Sequence, residues 1–332
     1  MKNLKISVLG DGGWGTALAI LLQQKGFSVC LWGAFADYIK VLDKKRMNTR
    51  FLPGIKIPRK LEITADLKNA ISGKDLIVFA IPSEYIRGVL KNIKKTGFSR
   101  ESVYLSVSKG IEIGSLKRIS EVIHEELGNI KLGVLSGPTI VHEVIKGKPA
   151  TAIIASGNKS LTKFIQDIFM SDSLRIYTSA DVVGVELGGS LKNVIAIACG
   201  ISDGLSLGTN AKAALLARGL AEIYRLGVKM GAEAKTFSGL SGLGDLVTTC
   251  SSPYSRNRSV GEQIGKGKSL ALIKKNMRMV AEGVPTAKSA YMLSKKFSVE
   301  MPITEQVYAV LYKNKNPLRA VKDLMTRQKK EE

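Results

Sequence analysis

The stretch KISVLGDGGWGTALAILLQQKGFSVCLW, residues 5–32, decides how the chain begins. LKISVLG is a short apolar run, which reads as a buried strand. GDGGWG is a turn. TALAILLQQKG has the length and composition of a helix ending at Gly26, where glycine can take the left-handed cap. FSVCLWG is a second apolar run. Strand, turn, helix and strand within about 30 residues make a βαβ unit.

The pattern continues outward. Apolar runs bounded by Gly, Pro and Ser recur as DLIVFAIP (75–82), SVYLSVSKG (102–110), KLGVLSGP (131–138), ATAIIAS (150–156) and LRIYTS (174–179), with helical segments between them. These are the marks of buried, mostly parallel strands in an open α/β sheet. Near residue 180 the texture changes. Strand-like runs stop, and helical patterns follow at 181–200, 211–231 and 303–312. The expected fold is α/β: a Rossmann-like doubly wound sheet over 1–180, then an all-helical second domain over 181–332.

Gly10, Gly12 and Gly15 spell G-x-G-x-x-G between a strand and a helix. The first glycine makes the tight turn, the second lets backbone approach a pyrophosphate, and the third lets the helix pack on the strand. The helix N-terminus then faces the phosphates. Dinucleotide binding follows. An acid about 20 residues on marks NAD, and an arginine there marks NADP. Here the region reads LWGAFADY. Asp37 comes late and no arginine is present, which leans toward NAD while leaving NADP open.

Composition narrows the rest. The 332 residues are 45% hydrophobic and 23% charged, ordinary for a globular protein of two domains. Net charge is +22, but the basic residues are spread along the chain and aromatics are only 6%. That fits an anionic small ligand better than nucleic acid. Cys30, Cys199 and Cys250 are far apart and form no C-x-x-C, which points to a reducing compartment. The N-terminus lacks a signal peptide's pattern, and no uncharged apolar run reaches membrane-spanning length. A cytoplasmic protein without stable membrane insertion is expected. The two histidines, His124 and His142, are too few for a histidine zinc site, and no metal is expected. His124, in a polar helical stretch, should lie on the surface.

One lysine stands out. Lys192 lies in VELGGSLKNVIAIACGISDG (185–204), and its helical neighbours at three and four residues are Gly188, Gly189, Ile195 and Ala196. None is acidic, so no partner on its own helix holds it. Glycine in a helix interior costs about 1 kcal/mol relative to alanine, so Gly188 and Gly189 should clear room for a ligand or for backbone. A partly buried, unpaired lysine can work as a base; a stem packed on the helix with its head in water is the alternative. Further on, GLSGLGDLVTTC (239–250) sets Asp245 and Thr249 four apart, and SPYSRNRS (252–259) gathers Ser255, Arg256 and Asn257. Arginine's fork suits phosphate, although for such a stretch taken alone a capped helix end is the commoner explanation. Lys109, in VSKGIE, falls just past a strand end, where open sheets bind ligands.

With these motifs in place the sequence resembles the bacterial NAD(P)-dependent glycerol-3-phosphate dehydrogenases. GDGGWGTALA, SVSKGIE, LSGPT, GVELGGSLKNVIAIACGISDGL, AKAALLARGLAEI, SGLSGLGDLVTTC, SRNR, AEGVPTAK and MPITEQVYAVLY carry the likeness over nearly the whole chain. The resemblance implies reversible reduction of dihydroxyacetone phosphate to sn-glycerol 3-phosphate, for phospholipid synthesis. It implies Lys192 as general acid/base, and Lys109 touching both substrate and cofactor. Gly137, Thr139, Asp245, Ser255, Arg256 and Asn257 would line the substrate, with Thr249 beside Asp245. Gly13, Trp14, Val141, Arg256, Val280 and Glu282 would join Gly10, Gly12 and Gly15 at the cofactor. Where the family often has basic residues or histidine, this chain has Ala34 and Phe35. Such folds are often homodimers. The nearest rival is a β-hydroxyacid or 6-phosphogluconate-type dehydrogenase, against which SGLGDL and SRNR argue.

Overall fold

A computed structural model describes residues 3–277, 279–329 and 331. Among the described residues, eight strands are β1 Lys5–Leu9, β2 Ser28–Trp32, β3 Glu62–Thr64, β4 Leu76–Phe79, β5 Val103–Ser106, β6 Lys131–Ser136, β7 Ala150–Ala155 and β8 Leu174–Ser179. The helices between them are α1 Gly13–Gln24, α2 Ala36–Lys45, α3 Leu67–Ile71, α4 Ile86–Thr96, α5 Ile119–Leu127, α6 Val141–Val144 and α7 Lys159–Phe169. After β8 come α8 Val182–Gly204, α9 Gly208–Lys229, α10 Asp245–Ser251, α11 Arg256–Gly265, α12 Leu270–Asn276, α13 Gly283–Lys296, α14 Pro302–Tyr312 and α15 Pro317–Met325.

The strands form one sheet in the order β3-β2-β1-β4-β5-β6-β7-β8. Neighbours run parallel except β6 and β7, which pair antiparallel. The order reverses between β1 and β4, and the crevice beyond the carboxyl ends of strands at such a point is where open α/β sheets bind ligands. One apolar cluster, with Ile6, Val8, Leu18 and Leu135, covers one face of the sheet. A second, with Leu9, Ile77, Phe79 and Tyr104, covers the other. The runs of β1, β2, β4, β5 and β6 are therefore buried on both faces, whereas β8 alternates between buried and exposed residues. β3 was not among the runs legible in the sequence. It has three residues, half in solvent, and offers no apolar signal.

The third cluster is the helical one, built around α8. This helix has 23 residues, and its most apolar window has a mean hydropathy of 1.5. By length and composition it could cross a membrane, yet 89% of that window is buried inside the protein. Helices α9, α10, α11, α13 and α14 pack around it. Its contact with α11 is close because glycines meet there. A Cβ on Gly261 would stand 2.1 Å from the Ile197 carbonyl oxygen, and one on Gly200 would stand 2.0 Å from that of Arg258. Gly188 and Gly189 make room in the same way, for backbone at Ser241 and for the Ser136 hydroxyl. Of the two uses open in the sequence, close approach of protein is the one observed.

Two buried carboxylates fasten α8 and α14. Glu186 of α8 accepts from the Ser120 amide (2.8 Å) and hydroxyl (2.6 Å) and from Arg118 (2.6 Å), which joins α8 to the start of α5. Glu222 of α9 accepts from the Ile303 and Thr304 amides and so caps α14.

Candidate active site

The turn after β1 is shaped as its glycines require. Gly10 has φ +123°, and a Cβ there would meet the Ala80 carbonyl oxygen at 2.4 Å. A Cβ on Gly15 would meet the Gly10 carbonyl oxygen at 2.0 Å, so α1 lies against the turn. Around Gly12 there is open space. The N-terminus of α1 has no side-chain cap and no acid in its first turn. Its unfilled donors and the bare face at Gly12 fit the pyrophosphate of a dinucleotide. Trp14 is half-buried against the first sheet cluster.

Across the cleft, Lys192 is only 5% exposed in mid-α8. Its Nζ donates to Asp245 Oδ1 at 2.5 Å and to Thr249 Oγ1 at 2.5 Å. The expectation of an unpaired lysine is thus corrected. No acid stands near it on α8, but α10 brings one from another part of the chain. Asp245 Oδ2 takes Lys109 Nζ at 2.7 Å, and the same ammonium donates to the Gly137 carbonyl at 3.0 Å. Thr139 Oγ1 donates to that carbonyl too, at 3.3 Å. Gly137 needs its glycine, with φ +125° and the Ala152 Cα 3.0 Å from where a Cβ would be. Burial pulls the Lys192 ammonium down to about 8; Asp245 opposes this and Lys109 adds to it.

The SRNR stretch opens α11. Ser255 is its N-cap and accepts from the Arg258 amide. Asn257 is buried and its amide is engaged on both sides, donating to Asn193 Oδ1 (2.9 Å) and accepting from the Gly283 amide (2.8 Å). It thereby ties α11 to α13 and to the residue beside Lys192. Arg256 donates one Nη to the Val280 carbonyl at 2.8 Å. Its side chain keeps access to solvent although protein surrounds it; burial lowers its pKa and Glu282 opposes that. Glu282 accepts from the Ser83 amide (2.9 Å) and hydroxyl (2.5 Å), and burial raises its carboxyl. Ser83 lies in the loop after β4, so this contact bridges the sheet and the helical domain. Val141 starts α6, half-buried.

Lys192, Lys109, Asp245, Thr249, Gly137 and Thr139 therefore form one network. Ser255, Arg256 and Asn257 open α11 beside Val280 and Glu282, and Asn257 bonds Asn193, the chain neighbour of Lys192. Sequence reasoning missed Asn193 and Ser83. Asn193 carries a weak signal, as a polar residue beside Lys192 in an apolar helix. His124 is exposed, while the His142 ring lies 4.8 Å from that of Tyr254, between the start of α6 and the loop before α11. A cavity of about 790 Å³ lies elsewhere, between α9, α14 and α15, and neither lysine lines it.

A glycine-rich turn at the carboxyl end of β1 that suits a dinucleotide, together with a buried lysine of lowered pKa, defines a nicotinamide-dependent dehydrogenase. Comparison with known proteins makes this specific. The family described as NAD-dependent glycerol-3-phosphate dehydrogenase matches through its N-terminal part at residues 5–162 and its C-terminal part at 181–322. The glycerol-3-phosphate dehydrogenase [NAD(P)+] of Fusobacterium nucleatum is 49% identical over 98% of both chains. That of a Thermoanaerobacter species is 48% identical over 99% of both. The crystal structure of glycerol-3-phosphate dehydrogenase from Coxiella burnetii superposes with a TM-score of 0.95 at 37% identity, covering 98% of this chain and 100% of that one. The chain belongs to the NAD-dependent glycerol-3-phosphate dehydrogenase family.

Proposed function

We propose that the chain reduces dihydroxyacetone phosphate to sn-glycerol 3-phosphate, reversibly, with NADH or NADPH, and that Lys192 handles the proton. The product supplies the backbone of glycerophospholipids. The observation that carries the catalytic reading is the buried Lys192 ammonium, held by Asp245 and Thr249, with Lys109 from the sheet domain on the same carboxylate.

A nicotinamide dinucleotide held at the glycine-rich turn would supply the hydride, or take it in reverse. The ketone oxygen gains negative charge during reduction and needs a proton. Lys192 donates it, and in oxidation accepts it. A lysine at about 8 can do both near neutrality. Asp245 aims Lys192 through Oδ1 and at the same time holds Lys109 through Oδ2, so one carboxylate gathers two ammonium groups beside the reacting carbonyl. Arg256 offers its remaining donors to the substrate phosphate. Binding energy at the phosphate then positions the carbonyl. Gly137, Thr139, Thr249, Ser255 and Asn257 shape the substrate's surroundings. Gly10, Gly12, Gly13, Trp14 and Gly15, with Lys109, Val141, Arg256, Val280 and Glu282, hold the cofactor.

On this reading residues 1–180 bind the nucleotide and residues 181–332 bind the substrate. We also place the chain in the cytoplasm, without a nucleic-acid partner, and a homodimer is compatible with it. The three free, buried cysteines and the scattered basic residues support this placement. The test is oxidation of NADH and of NADPH by the purified chain, followed by nicotinamide absorbance. Oxidation that depends on dihydroxyacetone phosphate supports the reading. Turnover of β-hydroxyacids or 6-phosphogluconate instead would overturn it.

A further inference from the structure

The glycine-rich turn carries an acid that its motif does not require. Asp11 stands between Gly10 and Gly12. Its backbone is pinned. Asn48 Nδ2 donates to the Asp11 carbonyl at 2.7 Å, and Thr16 Oγ1 donates at 3.3 Å. Asn48 is itself fully buried, its Oδ1 taking the Tyr38 hydroxyl (2.7 Å) and the Phe51 amide (3.0 Å). Asp11 is therefore fixed by the turn and by the segment that follows α2.

Its side chain turns toward the end of β2. A Cβ on Gly33, the residue just after that strand, would lie 2.8 Å from Asp11 Cγ. The Asp11 carboxyl thus fills the place where a side chain at position 33 would begin. Its Oδ2 is shut off from solvent and has no hydrogen-bond partner within the protein. A buried carboxylate oxygen without a donor is costly, and a donor brought by a ligand at the glycine-rich turn would relieve that cost. Burial raises the carboxyl, while its own backbone amide and Arg50 pull it down. The Arg50 guanidinium lies 4.2 Å over the Tyr38 ring.

In dinucleotide folds an acid at the end of the second strand accepts hydrogen bonds from the adenosine ribose. Here that strand end reads Trp32, Gly33, Ala34, Phe35, with no charge. Asp37 is exposed in the first turn of α2. We infer that Asp11, reaching from the glycine-rich turn, supplies the carboxylate that β2 lacks, and that it makes the chain prefer NADH to NADPH. A ribose hydroxyl donates to the Asp11 carboxylate. A 2′-phosphate would instead bring a dianion against a fixed carboxylate. Arg50 acts on Asp11 through its charge, so the pair offers a 2′-phosphate little excess positive charge. The inference rests on the cofactor groove proposed above and names the residue that sets its specificity.

The test is equilibrium binding, by calorimetry, of NADH, NADPH, ADP-ribose and 2′-phospho-ADP-ribose. The last two lack nicotinamide and so report the adenosine end alone. Wild type should bind the forms without the 2′-phosphate about tenfold more tightly or better. Asp11→Ala and the isosteric Asp11→Asn should lose most of that ratio. The ratio is internal to each protein, and a thermal melt of Asp11→Asn checks that it folds. Binding of both forms with a ratio indifferent to Asp11 overturns the inference alone. So does a ratio that follows Arg50→Ala and ignores Asp11→Asn. No binding of any of the four by wild type overturns the groove assignment and the inference with it.

Discussion

The carboxylate of Asp245 and the ammonium of Lys192 meet at 2.5 Å, from two helices and across 53 residues of sequence. The same carboxylate holds Lys109 at 2.7 Å. One acid therefore sets the position of two cations and the proton affinity of one of them. Burial weakens the hold of Lys192 on its proton, and Asp245 works against that effect.

Opposite pH limbs follow for the two directions. Reduction uses protonated Lys192, so its rate should fall as pH rises through about 8. Oxidation uses the neutral amine, so its rate should fall as pH drops through the same value. Steady-state profiles in both directions check this. Limbs of the same sign would contradict the assignment.

Asp245→Asn keeps the shape and removes the charge. Burial and Lys109 then act on Lys192 with nothing to offset them. The falling limb of reduction should move to lower pH, and the melting temperature should drop as two lysines lose their shared partner. A limb that stays where it was would separate Asp245 from the proton step.

Arg256→Ala removes the forked donor at the start of α11. KM for the phosphorylated substrate should rise roughly tenfold or more with a smaller change in kcat. Arg256→Lys should recover only part of this, because a single ammonium cannot copy the fork. An unchanged KM for Arg256→Ala would place the phosphate elsewhere.

Gly261→Ala tests the close crossing of α8 and α11. The added Cβ would sit 2.1 Å from the backbone oxygen of Ile197, which no rotamer change can relieve. A loss of about 1–3 kcal/mol is expected in denaturant unfolding. Gly88→Ala in α4 is the control. Nothing lies within 4 Å of its Cβ position, so it should be neutral or stabilising.

The sequence made the local features plain and left the distant ones hidden. The turn at Gly10, Gly12 and Gly15 and the apolar strands could be read because each is fixed by neighbours in the chain. The antiparallel step between β6 and β7 could not, since an apolar run does not encode its direction. β3 was too short to register. Lys192 stood out within its helix, but its partner did not, because Asp245 reaches it only through the packing of α10 on α8. Ser83 and Glu282 are 199 residues apart, and neither hints at the other. Asp11 passed unnoticed as a variable position of the motif, although its carboxyl takes the space that Gly33 leaves.

The most direct test of the central claim is the rate of dihydroxyacetone phosphate reduction by Lys192→Met beside wild type, with cofactor and substrate saturating. Methionine keeps the stem and removes the proton carrier. A loss of about 10²–10⁴ in kcat, with cofactor binding retained, is the expected result for a general acid. A variant that keeps most of the wild-type kcat would show that the proton comes from another group.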